Sequence, residues 1–228
     1  MARVLRELEK KAIAGISTRE IDTLAEKLIL AHDALPAFKG YKGFPAVICA
    51  SINEEIVHGI PSERTLKEGD IIGLDLGVNY KGYFSDAAIT VPIGKVPVRV
   101  KKLIDITKKA LAEGIKAAKA GNHLQDISAC IQGCVEANGF SVVRQFVGHG
   151  IGLSLHEEPE IPNFGQPHQG PVLKEGMVLA IEPMVNMGGW EAEILDNGWT
   201  AVTKDRSHSA HFEHTVAITE NGPEILTK

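Results

Sequence analysis

The chain has 228 residues, 44% of them apolar and 23% charged, which excludes a disordered or fibrous protein and leaves room for one large or two small domains. Lys and Arg number 24 against 29 Asp and Glu, a formal charge of −5 without the basic excess of a nucleic-acid binder. Three Cys make no disulfide framework, no apolar run reaches the roughly 18–20 residues of a membrane span, and the charged start MARVLRELEKKA is no signal peptide, so a soluble cytoplasmic protein is expected. Residues 3–13 space Val4, Leu5, Leu8 and Ala12 at helical intervals, and Gly15 stops that helix. Ser17 with Glu20 three residues on forms a capping box, which predicts a helix to about His32 with Ile21, Leu24, Ala25, Leu28 and Ile29 as its apolar stripe. The Gly-, Pro- and aromatic-rich segment 36–46 reads as a loop. A short strand at 46–52, a buried strand at 71–78 and another at 83–91 follow, then two helices at 97–119 and 122–138. Beyond them, short β-like runs (142–147, 177–186, 190–195, 210–219) alternate with Gly/Pro loops.

LKEGDIIGLDLGV at 66–78 aligns with LKEGMVLAIEPMV at 173–185, and AIAGISTREI at 12–21 with AKAGNHLQDI at 118–127. Such a long repeat fits neither a solenoid nor a propeller. It predicts one domain, 1–228, built of two duplicated halves (about 1–115 and 116–228), each with helices followed by a β-hairpin. A pseudo-two-fold between the halves would bring Asp75 and Glu182 together, and a carboxylate on an apolar strand needs something to compensate it.

If residues 79–82 form a four-residue loop, Asp75 lies directly opposite Asp86, with Cβ atoms about 5 Å apart. Such a pair requires a shared proton, a nearby cation or a metal. The second half adds His149 between the glycines of GHGIG, His156 in LHEEP and Glu213 in the alternating strand FEHTVAI. Two Asp, two Glu and one His form a hard, oxygen-rich set that suits Mn, Fe, Co or Zn rather than a thiolate site. Shared between two ions about 3.5–4 Å apart, they describe a two-metal hydrolase. Other residues read as structural. His32, His123 and His168 have no supporting context. His208, His211 and His214 recur every third residue, but 211 faces opposite to the other two in a strand. Cys130 and Cys134 read as helix core thiols, and Lys101, Lys102, Lys108 and Lys109 as a solvated helix face.

The GHGIG, HEEP, EPM and FEHT contexts, with Asp86 eleven positions after Asp75, resemble the methionine aminopeptidases, in particular their bacterial type I branch, from about residue 15 to the C-terminus. The resemblance implies an α+β pita-bread fold, in which a curved, mainly antiparallel sheet made of two pseudo-two-fold-related halves is covered by helices. It implies two divalent ions (Co, Mn, Fe or Zn) held by Asp75, Asp86, His149, Glu182 and Glu213. The implied activity is removal of the N-terminal Met from nascent proteins with a small second residue, through attack by metal-activated hydroxide, with the ribosome a candidate partner. VHGIP at 57–61 resembles the family's first-half histidine motif and carries over His58. The Met pocket carries over as Tyr41, Phe44, Cys49 and Trp199, with Leu155 where the family usually has an aromatic. On this pattern Glu182 is the general base, His156 meets the scissile carbonyl and His58 the substrate amide. A monomer is expected, with no nucleic-acid or membrane partner. The rivals are a proline-specific hydrolase of the same fold, whose members usually carry an extra N-terminal domain, and an inactive peptide-binding relative, which should have lost a ligand.

Overall fold

A computed structural model of the chain describes residues 1–228. Helix α1 (Ala2–Lys11) buries Val4, Leu5 and Leu8. Helix α2 (Thr18–Leu30) begins at the capping box: the Glu20 N–H donates to Ser17 Oγ, and the Ser17 N–H donates to the Glu20 carboxylate at 2.8 Å. Strand β1 (Leu35–Pro36) leads into the aromatic loop, which contains a 3₁₀ turn at Tyr41–Gly43. Strands β2 (Cys49–Ile52) and β3 (Glu55–Val57) follow, then the long hairpin of β4 (Ile71–Tyr80) and β5 (Tyr83–Pro92). Helices α3 (Val98–Ala117) and α4 (Leu124–Glu136) open the second half. Its strands are β6 (Ser141–Val142), β7 (Gly148–Gly150), β8 (Glu157–Ile161), β9 (Val178–Ile181), β10 (Met184–Asn186), β11 (Ala192–Ile194), β12 (Ala201–Thr203), β13 (Ser209–His211), β14 (Glu213–Thr219) and β15 (Gly222–Ile225).

The main sheet runs β1-β4-β5-β14-β9-β7-β8, with β2 added on β4 and β15 on β14; every pairing is antiparallel. Its centre, β4-β5-β14-β9, is one antiparallel strand pair from each half: β4 and β5 form the expected hairpin, whereas β10 to β13 separate β9 from β14 in place of the hairpin expected there. β5 meets β14 at Ala88 opposite Glu213. On either side of that pair a threonine hydroxyl bridges the two strands. Thr90 Oγ1 donates to the His211 carbonyl and accepts from the His211 N–H; Thr215 Oγ1 does the same to Asp86. A two-fold through Ala88/Glu213 therefore exchanges Thr90 with Thr215 and Asp86 with His211, and sets the Asp75 strand over the Glu182 strand.

Each half packs two helices on one face of its strands. Leu8, Ile21 and Ile29 meet Leu74 and Leu76 in the first half; Leu103, Ile127 and Ile131 meet Ile181 and Val216 in the second. Strand alternation then sends Asp75, between Leu74 and Leu76, to the face away from the helices. The fold is thus α+β, with the acidic positions of both halves on the uncovered side of one sheet.

Three expectations need correction. The hairpin turn has two residues rather than four, because Lys81 (φ 53°) and Gly82 (φ 88°) are both left-handed and Tyr80 pairs with Tyr83. Asp75 consequently pairs with Ala88, and Asp86 with Gly77, so the two aspartates are diagonal neighbours on one face. On α4 the buried stripe follows Leu124, Ile127, Ile131 and Val135, which leaves Cys130 exposed and Cys134 only half-buried. Strands β3, β8, β12 and β15 had no signal in the sequence, being three to five residues long, mostly without clean alternation, and in β8 interrupted by a proline.

The glycines around His149 have a steric cause. A Cβ on Gly148 would stand 2.4 Å from the Ala180 carbonyl oxygen, and one on Gly150 2.2 Å from that of Glu158. Gly150→Ala is therefore expected to cost about 1–3 kcal/mol by forcing β7 and β8 apart, read as a lower urea midpoint at unchanged slope.

Candidate functional site

On the uncovered face lies a cavity of about 160 Å³. Asp75 reaches it from β4, Asp86 from β5, His149 from β7, Glu182 from the residue after β9 and Glu213 from the start of β14. His58, His156, Tyr41, Phe44, Cys49 and Trp199 complete its wall, so one cavity gathers every candidate residue. Phe38, Lys42 and Leu155 line it as well.

The acidic side is buried and short of partners. His149 Nε2 is 3.5 Å from Glu182 Oε1 and 4.0 Å from Asp86 Oδ2. Its Nδ1 lies 2.8 Å from the Gly150 carbonyl; that oxygen accepts the Nδ1 hydrogen and turns the Nε2 lone pair towards the acids. One ligand atom from each of Asp86, His149 and Glu213 can be chosen so that all lie within 4.8 Å of one another. Asp75 Oδ1, Asp86 Oδ1 and Glu213 Oε1 are buried with no hydrogen-bond partner. Burial pushes all four acids above their ordinary range, and the charge of Asp86 raises Asp75, Glu182 and Glu213 further. The only lining cation, Lys42, is exposed. Carboxylates so placed are neutralised by bound protons or by a cation from outside, and an oxygen-rich set with one imidazole fits a divalent metal. His149 is lowered by burial and therefore neutral, as a ligand must be.

The opposite side is aromatic and apolar. Phe44 meets Trp199 edge-on at 5.1 Å and Phe38 at 6.5 Å, with Cys49 and Leu155 buried among them. The Cys49 thiol is pushed well up by burial and by the Asp75 and Asp86 charges, so it serves as packing and not as a nucleophile. At the mouth, the Tyr41 hydroxyl lies 3.0 Å from His156 Nδ1, and the His156 ring stands 4.1 Å from that of His149, centre to centre. Desolvation, then the charges of His149, Lys42 and His58, lower His156 to about 4. His58 sits at φ 59°, a strained conformation for a residue with a side chain, and presents its ring edge-on to Phe146 (5.6 Å) and Trp199 (6.4 Å).

Sequence reasoning missed His211. It is 3% exposed, its Nε2 is 3.6 Å from Glu182 Oε2, and burial lowers it to about 3, so the ring is neutral. The available signal was parity, since 211 shares the face of Glu213. His208 and His214 lie outside the cavity, His214 with its Nδ1 2.9 Å from Thr227 Oγ1. His123 caps α4, and His168 is an exposed neighbour of Asp126.

Residues 1–220 match metallopeptidase family M24. The methionine aminopeptidase of Clostridium perfringens is 54% identical over 227 residues, 100% of this chain and 91% of that protein. Methionine aminopeptidase 1 of Bacillus subtilis is 53% identical, covering 97% and 90% of the two chains. The crystal structure of methionine aminopeptidase from Thermotoga maritima matches with a TM-score of 0.98 at 49% identity, over 100% of this chain and 92% of that one. The chain belongs to metallopeptidase family M24 and, within it, to the methionine aminopeptidases.

Proposed function

We propose that the chain removes Met from the N-terminus of peptides whose second residue is small, acting on nascent proteins in the cytoplasm as a monomer whose single domain spans 1–228 in two halves, about 1–115 and 116–228. The observation that carries this reading is the two-sided cavity: uncompensated buried acids on one wall, an aromatic slot on the other. Asp75, Asp86, His149, Glu182 and Glu213 would together hold the ions. When bound, two such ions (Co, Mn, Fe or Zn) would lower the pKa of water towards 7 and polarise the scissile carbonyl.

The remaining work falls to side chains. Glu182, neighbour to His149 and raised by burial, would take the proton from the attacking water and pass it to the leaving amine nitrogen. His156, with Nδ1 accepting from the Tyr41 hydroxyl, would present Nε2–H to the scissile carbonyl oxygen as negative charge grows there. His58 would hydrogen-bond the substrate's backbone amide. Tyr41, Phe44, Cys49 and Trp199 would take the thioether side chain, which suits the irregular gap between the Phe44 and Trp199 rings. Phe44→Ala is expected to lower kcat/KM for Met-Ala-Ser by on the order of 10–100-fold, mainly through KM and with metal content unchanged, as measured by steady-state kinetics and metal analysis.

A peptide panel tests the assignment: Met is expected to be released from Met-Ala-Ser and not from Met-Lys-Ser, and only in the absence of chelator. Cleavage confined to Xaa-Pro bonds would favour a proline-specific hydrolase, and no release, or release insensitive to chelator, would overturn the proposal.

A further inference from the structure

The chemistry above leaves the fourth imidazole of the site, the buried ring of His211, without a task. His211 ends β13, and β13 pairs with β10 so that His211 lies opposite Met184, two residues beyond Glu182. Its Nε2 is buried, has no hydrogen-bond partner, and stands 3.6 Å from Glu182 Oε2. His149 faces the other oxygen of the same carboxylate, Oε1, at 3.5 Å. Glu182 is therefore flanked by two rings, one for each oxygen. Asn163 Nδ2 donates to the Glu182 backbone carbonyl at 3.0 Å and leaves the carboxylate to those rings.

The position of His211 is built rather than incidental. The Thr90 hydroxyl clamps both its N–H (2.9 Å) and its carbonyl (2.8 Å), as Thr215 clamps Asp86 in the other half. His211 is thus the counterpart of Asp86 across the internal two-fold. Where the first half offers a carboxylate, the second offers a neutral ring. A carboxylate at 211 would add a further negative charge beside Asp75, Asp86, Glu182 and Glu213; an imidazole adds a donor and no charge.

We propose that His211 is the positioning residue of Glu182: its Nε2–H donates to Glu182 Oε2 and fixes the carboxylate with Oε1 towards His149 and the ion the two would hold. An unanchored carboxylate rotates about its last torsion, and a donor on its outer oxygen removes that freedom, as outer-shell partners do for metal ligands. The inference rests on the metallopeptidase reading of the same cavity.

Co²⁺ binding tests it on the full chain, stripped with chelator and titrated in a calorimeter while the visible Co²⁺ band and the melting temperature are followed. His211→Leu keeps similar volume and removes the donor; His211→Gln places an amide N–H at the reach of Nε2. His211→Leu is expected to bind one Co²⁺ about 10–100-fold more weakly and to change the band, and His211→Gln to return within about threefold of wild type. The melting temperature of the stripped His211→Leu protein should not fall, because at 3.6 Å from Oε2 the ring makes no hydrogen bond until metal draws Glu182 into place, and the change puts an apolar group where a buried polar one had no partner. Should His211→Leu not fold, His211→Asn, whose amide falls short of Oε2, takes its place with the same expectation. The proposal is overturned if the donorless variant binds Co²⁺ as tightly as wild type, or if His211→Gln is as weak as the donorless variant, which would leave only packing. Wild type that binds no Co²⁺ at all would remove the metal reading of the cavity, and this inference with it.

Discussion

Glu182→Gln is expected to slow release of Met from Met-Ala-Ser by about 10²–10⁴-fold in kcat at saturating metal, with KM little changed. The substitution keeps the shape of the side chain and removes its ability to hold a proton. Glu182 is suited to that task by its place: it is nearly buried in the cavity, with Oε1 3.5 Å from His149 Nε2 at the edge of the acidic cluster. Because Glu182 also belongs to the proposed ligand set, the measurement is a full kinetic series at increasing metal concentration, which separates lost metal from lost chemistry. Wild-type turnover at the plateau would contradict the assignment of Glu182 as base.

Stripping the metal is expected to abolish activity and to make stability depend on pH with a definite sign. The four acids have folded pKa values above their unfolded ones, near 3.8 for Asp and 4.5 for Glu, with Asp86 at about 7. They favour the fold fully below those unfolded values, and that contribution is lost as pH rises through the raised ones. The imidazoles work in the other direction: His58, His149, His156 and His211 lie below 6.5, so their contribution is present above pH 6.5 and lost as pH falls. Above pH 6.5 the four acids oppose one group, the Met1 amine, which burial lowers from 8.0 and which favours the fold as pH rises; the acids outnumber it, and the melting temperature of the stripped protein should fall as pH rises to 8.5. Divalent metal should remove that slope, since binding displaces the protons the acids hold, and calorimetry in two buffers should detect their release. A stripped protein whose melting temperature rises over that range would contradict the reading of the acids as a metal cage.

Much of the architecture was legible because local chemistry and global fold agree. The Ser17–Glu20 box gives the start of α2, and the repeated LKEG segments mark β4 and β9, which the internal two-fold relates. The Asp75 and Asp86 pattern was legible as chemistry, since an acid on an apolar strand must be compensated by a proton, a cation or a metal. Its register was not. A two-residue and a four-residue turn differ only in the backbone signs of Lys81 and Gly82, and NYKG does not announce which is used. Short strands such as Glu157–Ile161 owe their form to pairing with β7 and carry no periodicity of their own. His211 was set aside with His208 and His214 even though the spacing puts it on the opposite strand face, which is also the face of Glu213 and brings its Nε2 to 3.6 Å from Glu182 Oε2.

The most direct test of the central claim is anomalous scattering from crystals grown with Mn²⁺ or Co²⁺. Two peaks about 3.5–4 Å apart between Asp75, Asp86, His149, Glu182 and Glu213 are predicted. No peak there, or metal bound only elsewhere on the chain, would contradict it.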